Sequence, residues 1–546
     1  MARLTGGQAL ARSLVREGVD TVFALPGVQL DWAFDGLYEV RDAVGVYHTR
    51  HEQATAYMAD GYARTTGRVG VCMVVPGPGL LNAGAALATA YACSSPVLCI
   101  TGQVDSRGID QGWGMLHEVP QQLALMGSFT KWAGRALSPG EVPGLVREAF
   151  RQTRSGRPRP VGLEVPPDIL QRGEEVLLLD AVPGERSAGD PDLLRQAASL
   201  LRAAARPVIY SGGGTLAAGA WDELRAIAER LEVPVVMSVD GRGALSDRHY
   251  LAHTGLSGQA LCEEADLILA VGTRFWQPTR VWRRAPGAHV IRIDADPIEL
   301  ARHGAPTVGI VGDAKLALAA LRDLLDGGAA HPSREAELRA RKETAAARLN
   351  AIQPQAAYVA AIRAALPDDA IIVNDLTQVT FFGTLGMPVY APRTYLGPGY
   401  QGTLGSAFAT ALGAQVGNPE KKVVALAGDG GFLYTIQELA TQRQHGLNVV
   451  SIVFNDNAFG NVKRTQQQQF GGRLLGSELV NPDLVAVAAG FGIRAARVAT
   501  PAALGDALRS ALAANEPGLI EVTVGEMPSV WPLILPAGGA YPVMLS

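Results

Sequence analysis

The most constraining feature of this 546-residue chain is a pair of oxygen-rich clusters, each of which follows a short apolar run. Gly428-Asp429-Gly430 follows residues 423–427, which have the composition of a buried strand. Asn455-Asp456-Asn457 follows a second such run, residues 449–454, and its aspartate lies 27 positions after Asp429. Residues 435–445, between the two runs, have the length and composition of a helix. A right-handed crossover makes the two strands parallel, so both clusters are predicted to meet at one edge of a sheet.

This arrangement suits a divalent cation that holds a phosphate group. Magnesium takes about six oxygen ligands, of which the protein normally supplies one or two carboxylates or amides. Glycines at positions 428, 430 and 431 let a diphosphate approach the backbone, and free N–H groups at the start of a following helix favour anions. The alternative is an ordinary Asp-Gly turn followed by a polar loop. The spacing of the two clusters argues against it.

Length and composition agree with a large, globular cytoplasmic protein. With 48% hydrophobic residues, 63 glycines and 33 prolines, the chain can form several cores and many tight turns. A net charge of −4 and the lack of a long basic run argue against nucleic acid as a partner. We find no signal-peptide pattern and no apolar stretch of about 18 residues, so we expect no membrane association. The four cysteines lie in apolar runs without CxxC spacing and are predicted to be buried thiols in a reducing compartment.

The chain divides into three blocks of alternating helical and strand patterns, which predicts an α/β fold with parallel sheets covered on both faces. In the first block we predict helices at residues 7–16 and 53–63 and strands at 21–24, 69–75 and 161–165. A polar linker, residues 171–191, leads to a second block with strands near Val208, Val236, Leu267 and Val290. A charged, helix-rich connection at 334–350 precedes the third block. The predicted domains are residues 1–175, 190–328 and 355–546, the last including a tail rich in proline and glycine.

Residues 424–462 resemble the diphosphate-binding motif of thiamine diphosphate (ThDP) enzymes, in particular the acetolactate synthase and 2-keto acid decarboxylase superfamily. The resemblance extends over nearly the whole chain. It implies three doubly wound domains in the order pyrimidine-binding, central and diphosphate-binding. It also implies that Asp429, Asp456 and the backbone carbonyl of Ala458 bind Mg²⁺. Asparagine is usual where Asp456 stands, and Asn457 is the alternative ligand. The cofactor contacts implied in this segment are Gly428, Asp429, Gly430, Gly431, Asp456, Ala458, Phe459 and Gly460.

The resemblance also implies a catalytic carboxylic acid for the ThDP reaction, a glutamate near the N-terminus. Residues 50–65, RHEQATAYMADGYART, resemble the superfamily's glutamate motif, and residues 69–82, VGVCMVVPGPGLLN, follow at the expected distance. The resemblance implies that Glu52 binds N1′ of the aminopyrimidine and favours its imino tautomer, which takes the proton from thiazolium C2. A carboxyl group in a dry site forms a strong charge-assisted hydrogen bond. Without the resemblance, a Glu at a helix start is usually a solvated charge.

The third block also contains residues that shape the cofactor. Residues 399–406, GYQGTLGS, resemble the segment that bends ThDP into a V, with Leu404 as the apolar wedge and the carbonyl of Gly402 accepting the 4′-amino group. Taken alone, Leu404 would be an ordinary core leucine. Residues 374–378 resemble a strand end that contacts the diphosphate, with Gln378 at the usual glutamine. Pro26 and Gly27, in the glycine-rich N-terminal turn, complete the implied cofactor contacts.

Substrate-binding positions depart from the synthase pattern. Val28 stands where synthases typically have a second glycine, Leu116-His117-Glu118 replaces the common Phe-Gln-Glu, and Thr465 replaces a tryptophan that helps to choose the second keto acid. His117 is a candidate catalytic residue, because imidazole can donate or accept a proton near neutral pH. A lone loop histidine is more often structural. These departures predict an altered specificity.

The central block offers a glycine-rich turn, Ser211-Gly212-Gly213-Gly214-Thr215, that is compatible with a nucleotide phosphate but lacks a full GxGxxG. Acetolactate synthases hold FAD in this domain, and residues 272–275 and 293–296 resemble parts of that site. Residues 252–258, AHTGLSG, do not match the expected Gly-Met-His-Gly type segment. Whether the central block binds FAD is therefore left open, and the alternative is that the glycines serve only for close packing.

The resulting prediction is a ThDP- and Mg²⁺-dependent enzyme that decarboxylates a 2-keto acid such as pyruvate and transfers the acyl unit to a second carbonyl, as acetolactate synthase does. The alternatives are a related decarboxylase or C–C lyase, and a ThDP-binding protein without turnover. The presence of Glu52 argues against the last. The resemblance implies at least a homodimer, and a homotetramer is left open.

Overall fold

The computed structural model of the chain describes residues 1–327 and 331–534. Within these residues the backbone forms one two-stranded sheet and three six-stranded sheets. The strands are β1 (Ala2–Thr5), β2 (Thr21–Ala24), β3 (Gly45–His48), β4 (Gly70–Val74), β5 (Val97–Gly102), β6 (Ala133–Arg135), β7 (Val161–Val165), β8 (Gly173–Val176), β9 (Pro207–Ser211), β10 (Val235–Met237), β11 (Ala252–His253), β12 (Leu267–Val271), β13 (His289–Asp294), β14 (Val308–Val311), β15 (Ile371–Asn374), β16 (Tyr395–Leu396), β17 (Val423–Gly428), β18 (Val449–Asn455), β19 (Arg494–Val498) and β20 (Gly518–Thr523).

The helices alternate with the strands. They are α1 (Gly6–Arg16), α2 (Asp31–Glu39), α3 (Glu52–Thr66), α4 (Pro78–Ala92), α5 (Gln122–Gly127), α6 (Val142–Arg154), α7 (Pro167–Gln171), α8 (Pro191–Ala203), α9 (Gly213–Ala218), α10 (Trp221–Leu231), α11 (Gly255–Glu264), α12 (Pro297–Ala301), α13 (Ala314–Leu324), α14 (Glu335–Asn350), α15 (Gln355–Ala365), α16 (Gln378–Gly386), α17 (Ser406–Gly417), α18 (Asp429–Phe432), α19 (Leu439–Gln444), α20 (Gly460–Gln469), α21 (Leu484–Gly490), α22 (Pro501–Ala514) and α23 (Trp531–Ile534).

Each six-stranded sheet has the order of a doubly wound fold. The orders are β3-β2-β4-β5-β7-β6, β11-β10-β9-β12-β13-β14 and β16-β15-β17-β18-β20-β19. Central strands such as β4, β12 and β18 are buried along their whole length, which explains their continuous apolar sequence. Most successive strands are joined through α-helices, the exceptions being β10–β11 and β12–β13, and the predicted α/β class with parallel sheets is confirmed.

The three sheets lie at residues 21–165, 207–311 and 371–523, each inside one predicted domain. By its internal contacts, however, the chain forms two compact units rather than three. Unit 1 contains residues 1–185, 405–420 and 433–449, and unit 2 contains residues 186–404, 421–432 and 450–546. The predicted boundaries 1–175, 190–328 and 355–546 therefore stay a prediction. The Pro- and Gly-rich end of the tail, residues 535–546, lies outside the described residues.

Within unit 1, helices α3 and α17 cross with their backbones in contact. A Cβ atom on Gly61 would lie 2.0 Å from the carbonyl oxygen of Thr410, and one on Gly413 would lie 1.9 Å from that of Met58. Only glycine fits at these two positions. The crossing fixes α3, which begins with Glu52.

Two local predictions were wrong in part. Residues 435–445 were expected to form one helix, but a 3₁₀ turn at Ile436–Glu438 precedes the short α19, because the side chain of Glu438 is drawn inward and is fully buried. The linker expected at residues 171–191 contains β8, which pairs antiparallel with β1. Among the described residues, no helix combines the length and apolar character needed to cross a bilayer.

Candidate functional site

A cleft in unit 2 lies where strands β15, β17, β18 and β20 end, and it encloses about 460 Å³ of empty space, part of it open to solvent. Six of the predicted site residues line it. They are Gln378, Gly428, Asp429, Asp456, Ala458 and Gly460. The strand ends thus bring the two oxygen-rich clusters together, as the sequence predicted.

Asp429 begins α18 and its side chain is buried. Its Oδ2 accepts a hydrogen bond of 2.6 Å from the side-chain amide of Asn481. Burial raises the pKa of Asp429, and hydrogen bonds from Asn481 and from the backbone N–H groups of Gly430 and Ala458 oppose this rise. Asp429 and Ala458, two of the three predicted metal ligands, are therefore direct neighbours.

Asp456 lies at the end of β18 and faces the same cleft. Burial, followed by the charge of Asp429, raises the pKa of Asp456 to about 6. Its Oδ1 accepts the backbone N–H of Ala458 at 3.2 Å, and a Cβ atom on Gly460 would lie 2.6 Å from its Oδ2. Gly460 is therefore needed to leave room for this carboxylate.

The alternative ligand, Asn457, is exposed and is not among the residues that line the cleft, and its Oδ1 accepts from Asn481 at 3.3 Å. Asp456 lines the cleft and Asn457 does not, and the choice of Asp456 as the ligand stays a prediction. Among the described residues, no group of three or more His, Cys, Asp or Glu side chains could hold a metal ion. Two neighbouring carboxylates and the Ala458 carbonyl nevertheless fit Mg²⁺, which takes its remaining ligands from phosphate and water.

The glycines around Asp429 have different roles. A Cβ atom on Gly430 would lie 2.6 Å from the ring of Phe459, so this glycine is required by packing. A Cβ atom on Gly428 would meet only the methyl group of Thr377, at 3.4 Å. Gly428 therefore leaves space toward the cleft, whereas Gly430 and Gly431 are buried. This difference fits a diphosphate that approaches from the side of Gly428.

Gln378 is oriented by a residue that the sequence analysis overlooked. Nη1 of Arg464 donates to Oε1 of Gln378 at 2.8 Å, and Nη2 of Arg464 donates to the carbonyl of Met527. Arg464 is only 6% exposed. Because a guanidinium group can only donate, it fixes the Gln378 oxygen toward itself and leaves the Gln378 amino group as the donor. That orientation suits contact with a phosphate.

Asn481 was also overlooked, since it lies in a polar loop without a recognisable pattern. Its amide donates to Asp429, to Asn455 at 3.1 Å and to Asn457. Asn455 in turn donates to the buried Glu521 at 2.7 Å. These bonds hold the loop after β18 against the loop after β17.

Gly402 and Leu404 lie in the loop between β16 and α17. Gly402 has φ +62°, a conformation that favours glycine, and a Cβ atom there would lie 3.7 Å from Leu376, which lines the cleft. Leu404 is half-buried and is not part of the cleft lining. Its predicted role as a wedge stays a prediction.

The remaining predicted residues lie in unit 1. Glu52 is the first residue of α3, after the cap residue His51, and is half-buried. Its Oε2 accepts a hydrogen bond of 2.9 Å from the side-chain amide of Asn82 on α4. Asn82 is the last residue of the 69–82 segment, but the sequence analysis assigned no role to it. The backbone carbonyl of Glu52 accepts from the hydroxyl of Thr55 at 2.7 Å. One carboxylate oxygen of Glu52 is thus held by a neutral donor.

His117 lies beside the N-terminal turn. Its Nδ1 is 3.2 Å from Oε1 of Gln29, whose amide donates to the carbonyl of Leu116 at 3.1 Å. His117 has φ +68°, and a Cβ atom on Gly77 would lie 2.3 Å from its carbonyl oxygen. Gly27 packs close to Val75, since a Cβ atom there would lie 2.4 Å from the Val75 side chain. Residues 26–29, 75–77 and 116–117 therefore form one cluster in unit 1, with Pro26 at its start.

The glycine-rich turn of the central block is used in packing. The amides of Gly212 and Gly214 donate to the carbonyls of Val271 and Gly272, both at 2.9 Å. A Cβ atom on Gly214 would lie 2.6 Å from the Cα of Gly272. These two amides are therefore already paired within the protein, which supports close packing as a role for the glycines.

Comparison with known proteins gives matches to three family models. The descriptions are thiamine pyrophosphate enzyme, N-terminal TPP binding domain, over residues 4–125; central domain, over residues 194–321; and C-terminal TPP binding domain, over residues 375–522. The three matched regions correspond to the three parallel sheets.

Individual relatives agree with the family models. The probable 2-ketoarginine decarboxylase AruI of Pseudomonas aeruginosa is 40% identical over 476 residues, which cover 84% of this chain and 83% of that protein. The acetolactate synthase isozyme 3 large subunit of Escherichia coli is 32% identical over 581 residues, covering 100% of this chain and 99% of the relative. A probable acetolactate synthase large subunit of Methanocaldococcus jannaschii is 33% identical over 567 residues, with 98% and 94% covered. The chain therefore belongs to the thiamine diphosphate-dependent, acetolactate synthase-like enzyme superfamily.

Proposed function

We propose that the protein is a ThDP- and Mg²⁺-dependent enzyme that decarboxylates a 2-keto acid and releases the remaining acyl unit as an aldehyde. The observation that carries the proposal is the cleft with Asp429, Asp456 and the oriented amide of Gln378. Two carboxylates that line one cleft, with the pKa of Asp456 raised to about 6 by burial and then by the charge of Asp429, are suited to a divalent cation, and a fixed amide donor beside them is suited to a phosphate.

The predicted cofactor residues have separate tasks in this proposal. Asp429, Asp456 and the carbonyl of Ala458 would hold Mg²⁺, and Gln378 and the face left open by Gly428 would hold the diphosphate. Glu52 would exchange a proton with the pyrimidine ring, and its bond to Asn82 keeps one carboxylate oxygen in place for this purpose. Bound ThDP supplies the carbon nucleophile and accepts the electrons released with CO₂.

The side chain of Thr465 supports aldehyde release over transfer to a second keto acid. Its hydroxyl donates to the carbonyl of Asn461 at 3.1 Å, so it is turned back onto α20. An acceptor keto acid bound here would lack the aromatic surface that tryptophan gives the synthases. Without a bound acceptor, the acyl carbon is protonated instead. The 40% identical relative is named a decarboxylase, in agreement with this outcome.

Product analysis tests the proposal. The purified protein is incubated with ThDP, Mg²⁺ and a panel of 2-keto acids, including pyruvate and 5-guanidino-2-oxopentanoate, and the products are identified by mass spectrometry. We expect CO₂ and the aldehyde that is one carbon shorter, lost on removal of Mg²⁺ with EDTA. Absence of keto acid consumption across the panel would contradict the proposal.

The second candidate is carboligation, as in acetolactate synthase. It is favoured by the synthase relatives, which cover nearly all of this chain at 31–33% identity. Formation of acetolactate from pyruvate alone in the same assay would establish it. A homodimer or homotetramer and a bound FAD are further proposals, which are tested by the mass of the native protein and by a flavin absorbance band.

A further inference from the structure

The chain on both sides of Glu52 is held by a segment that is distant in the sequence, residues 433–449, which we call the 433–449 segment. Both belong to unit 1. The guanidinium group of Arg50 donates to the side chain of Gln444 at 2.7 Å, and the amide of Gln53 donates to the carbonyl of Tyr434 at 3.0 Å. Glu52 lies between these two contacts.

Glu438 makes the central contact of the 433–449 segment. Its two carboxylate oxygens lie 3.2 and 3.0 Å from the backbone nitrogen of Arg50, which donates to them, and its Oε2 accepts from the hydroxyl of Thr441 at 2.5 Å. The Glu438 side chain is 0% exposed. Burial raises the pKa of Glu438, and the bonds from Thr441, Arg50 and the backbone N–H of His51 oppose the rise.

Within the described residues Glu438 has no direct salt bridge: the guanidinium group of Arg50 donates to Gln444, and its charge acts on Glu438 only from a longer distance. A buried carboxyl group without a direct salt bridge is costly unless hydrogen bonds compensate it. Here the compensating donors are mainly backbone N–H groups directly before α3, whose directions are fixed by the chain. The carboxylate therefore determines how the chain enters α3.

We propose that Glu438 is a positioning residue, which fixes the backbone at Arg50 and His51 and thereby aims the Glu52 carboxylate at the pyrimidine ring of the cofactor. The inference rests on the proposed role of Glu52. A rotation of the chain at residues 50–51 would displace the first residue of α3, and a displacement of about 1 Å lowers the rate of a positioned proton transfer by about 100-fold.

The test measures exchange of the C2 proton of ThDP for deuterium, by NMR after rapid acid quench, in protein saturated with ThDP and Mg²⁺. Glu438→Gln keeps one acceptor oxygen but places an amino group among the N–H donors. We expect its exchange rate to fall at least about 10-fold, while the ThDP dissociation constant changes less than about threefold. Glu17→Gln is the matched control. Glu17 is also buried in unit 1, and burial also raises its pKa, but its partner is Arg154.

The outcomes separate the inference from the proposed function. If Glu52→Gln slows exchange but Glu438→Gln, fully loaded with cofactor, exchanges like the wild type, Glu438 has no positioning role. If Glu52→Gln itself exchanges at the wild-type rate, the role of Glu52 and the inference both fail. Should Glu438→Gln not fold, Glu438→Asp decides the question. It retains the charge but is shorter by one methylene group, and a wild-type exchange rate in this variant would also overturn the inference.

Discussion

At the scale of single residues, the site depends on carboxylates held in partly dry surroundings. Asp429 and Asp456 are brought together by two strand ends, and burial, followed by the charge of Asp429, raises the pKa of Asp456. A divalent cation removes this repulsion, since it stabilises both ionised groups at once. In the metal-free protein, two ionised carboxylates at this site should therefore lower the free energy of unfolding.

We predict that the stability of EDTA-treated protein depends on pH, because Asp456 ionises in the folded protein only at raised pH. The pKa of folded Asp456 is raised from its ordinary value of 3.8 to about 6. Its contribution to the free energy of unfolding is therefore fully present below about pH 3.8 and is lost as the pH rises through about 6. Melting temperatures between pH 4 and 7 should fall more in the wild type than in Asp456→Asn. Equal slopes in the two proteins would contradict the shift.

Arg464 gives a second prediction at this scale. Arg464→Met removes the donor that orients Gln378 but keeps much of the side-chain volume. A hydrogen bond to a charged group contributes about 1.5–3 kcal/mol, so we expect the affinity for ThDP to fall by about 10-fold or more. Titration of protein fluorescence with ThDP measures it. Arg473→Met, at an exposed position just after α20, is the control and should bind like the wild type.

At the scale of helices and strands, the crossing of α3 and α17 fixes the helix that begins with Glu52. We predict that Gly61→Ala destabilises the protein by about 1–3 kcal/mol or more, because the added methyl group would lie 2.0 Å from a backbone oxygen. Gly144→Ala is the matched control in α6, where a Cβ atom meets nothing within 4 Å. It should stabilise by up to about 1 kcal/mol. Urea unfolding of both variants measures these changes, and a neutral Gly61→Ala would mean that the helices can separate without cost.

The sequence predicts such elements well where one physical signal dominates. The apolar runs before Gly428 and Asn455 are buried strands as expected, because burial on both faces leaves a continuous apolar pattern. The helix expected at residues 435–445 is interrupted, since its regular pattern does not reveal that Glu438 turns inward to bind the backbone of Arg50. Partners distant in sequence, such as Asn481 for Asp429, leave no local pattern at all.

At the scale of the whole molecule, local sequence patterns likewise do not reveal which distant segments of the chain group together. Alternating strands and helices predicted the three parallel sheets, because each sheet is built from residues of one continuous block. The pattern could not predict that residues 405–420 and 433–449 group with the N-terminal residues in unit 1. Periodicity records which face of an element is buried but not which element covers it.

Cofactor binding should stabilise the whole molecule, and this gives the last prediction. A ligand that binds only the folded state stabilises it by about 2.7 kcal/mol at 100 times its dissociation constant. We expect ThDP with Mg²⁺ to raise the melting temperature of the wild type. Asp429→Asn should lose most of this increase, because it removes the proposed metal ligand whose charge would hold the cation and, through it, the diphosphate. Asp506→Asn, at an exposed ion pair on α22, should keep the full increase. A rise of the same size in Asp429→Asn would show that the diphosphate is held without this carboxylate, and the metal would then have to lie elsewhere.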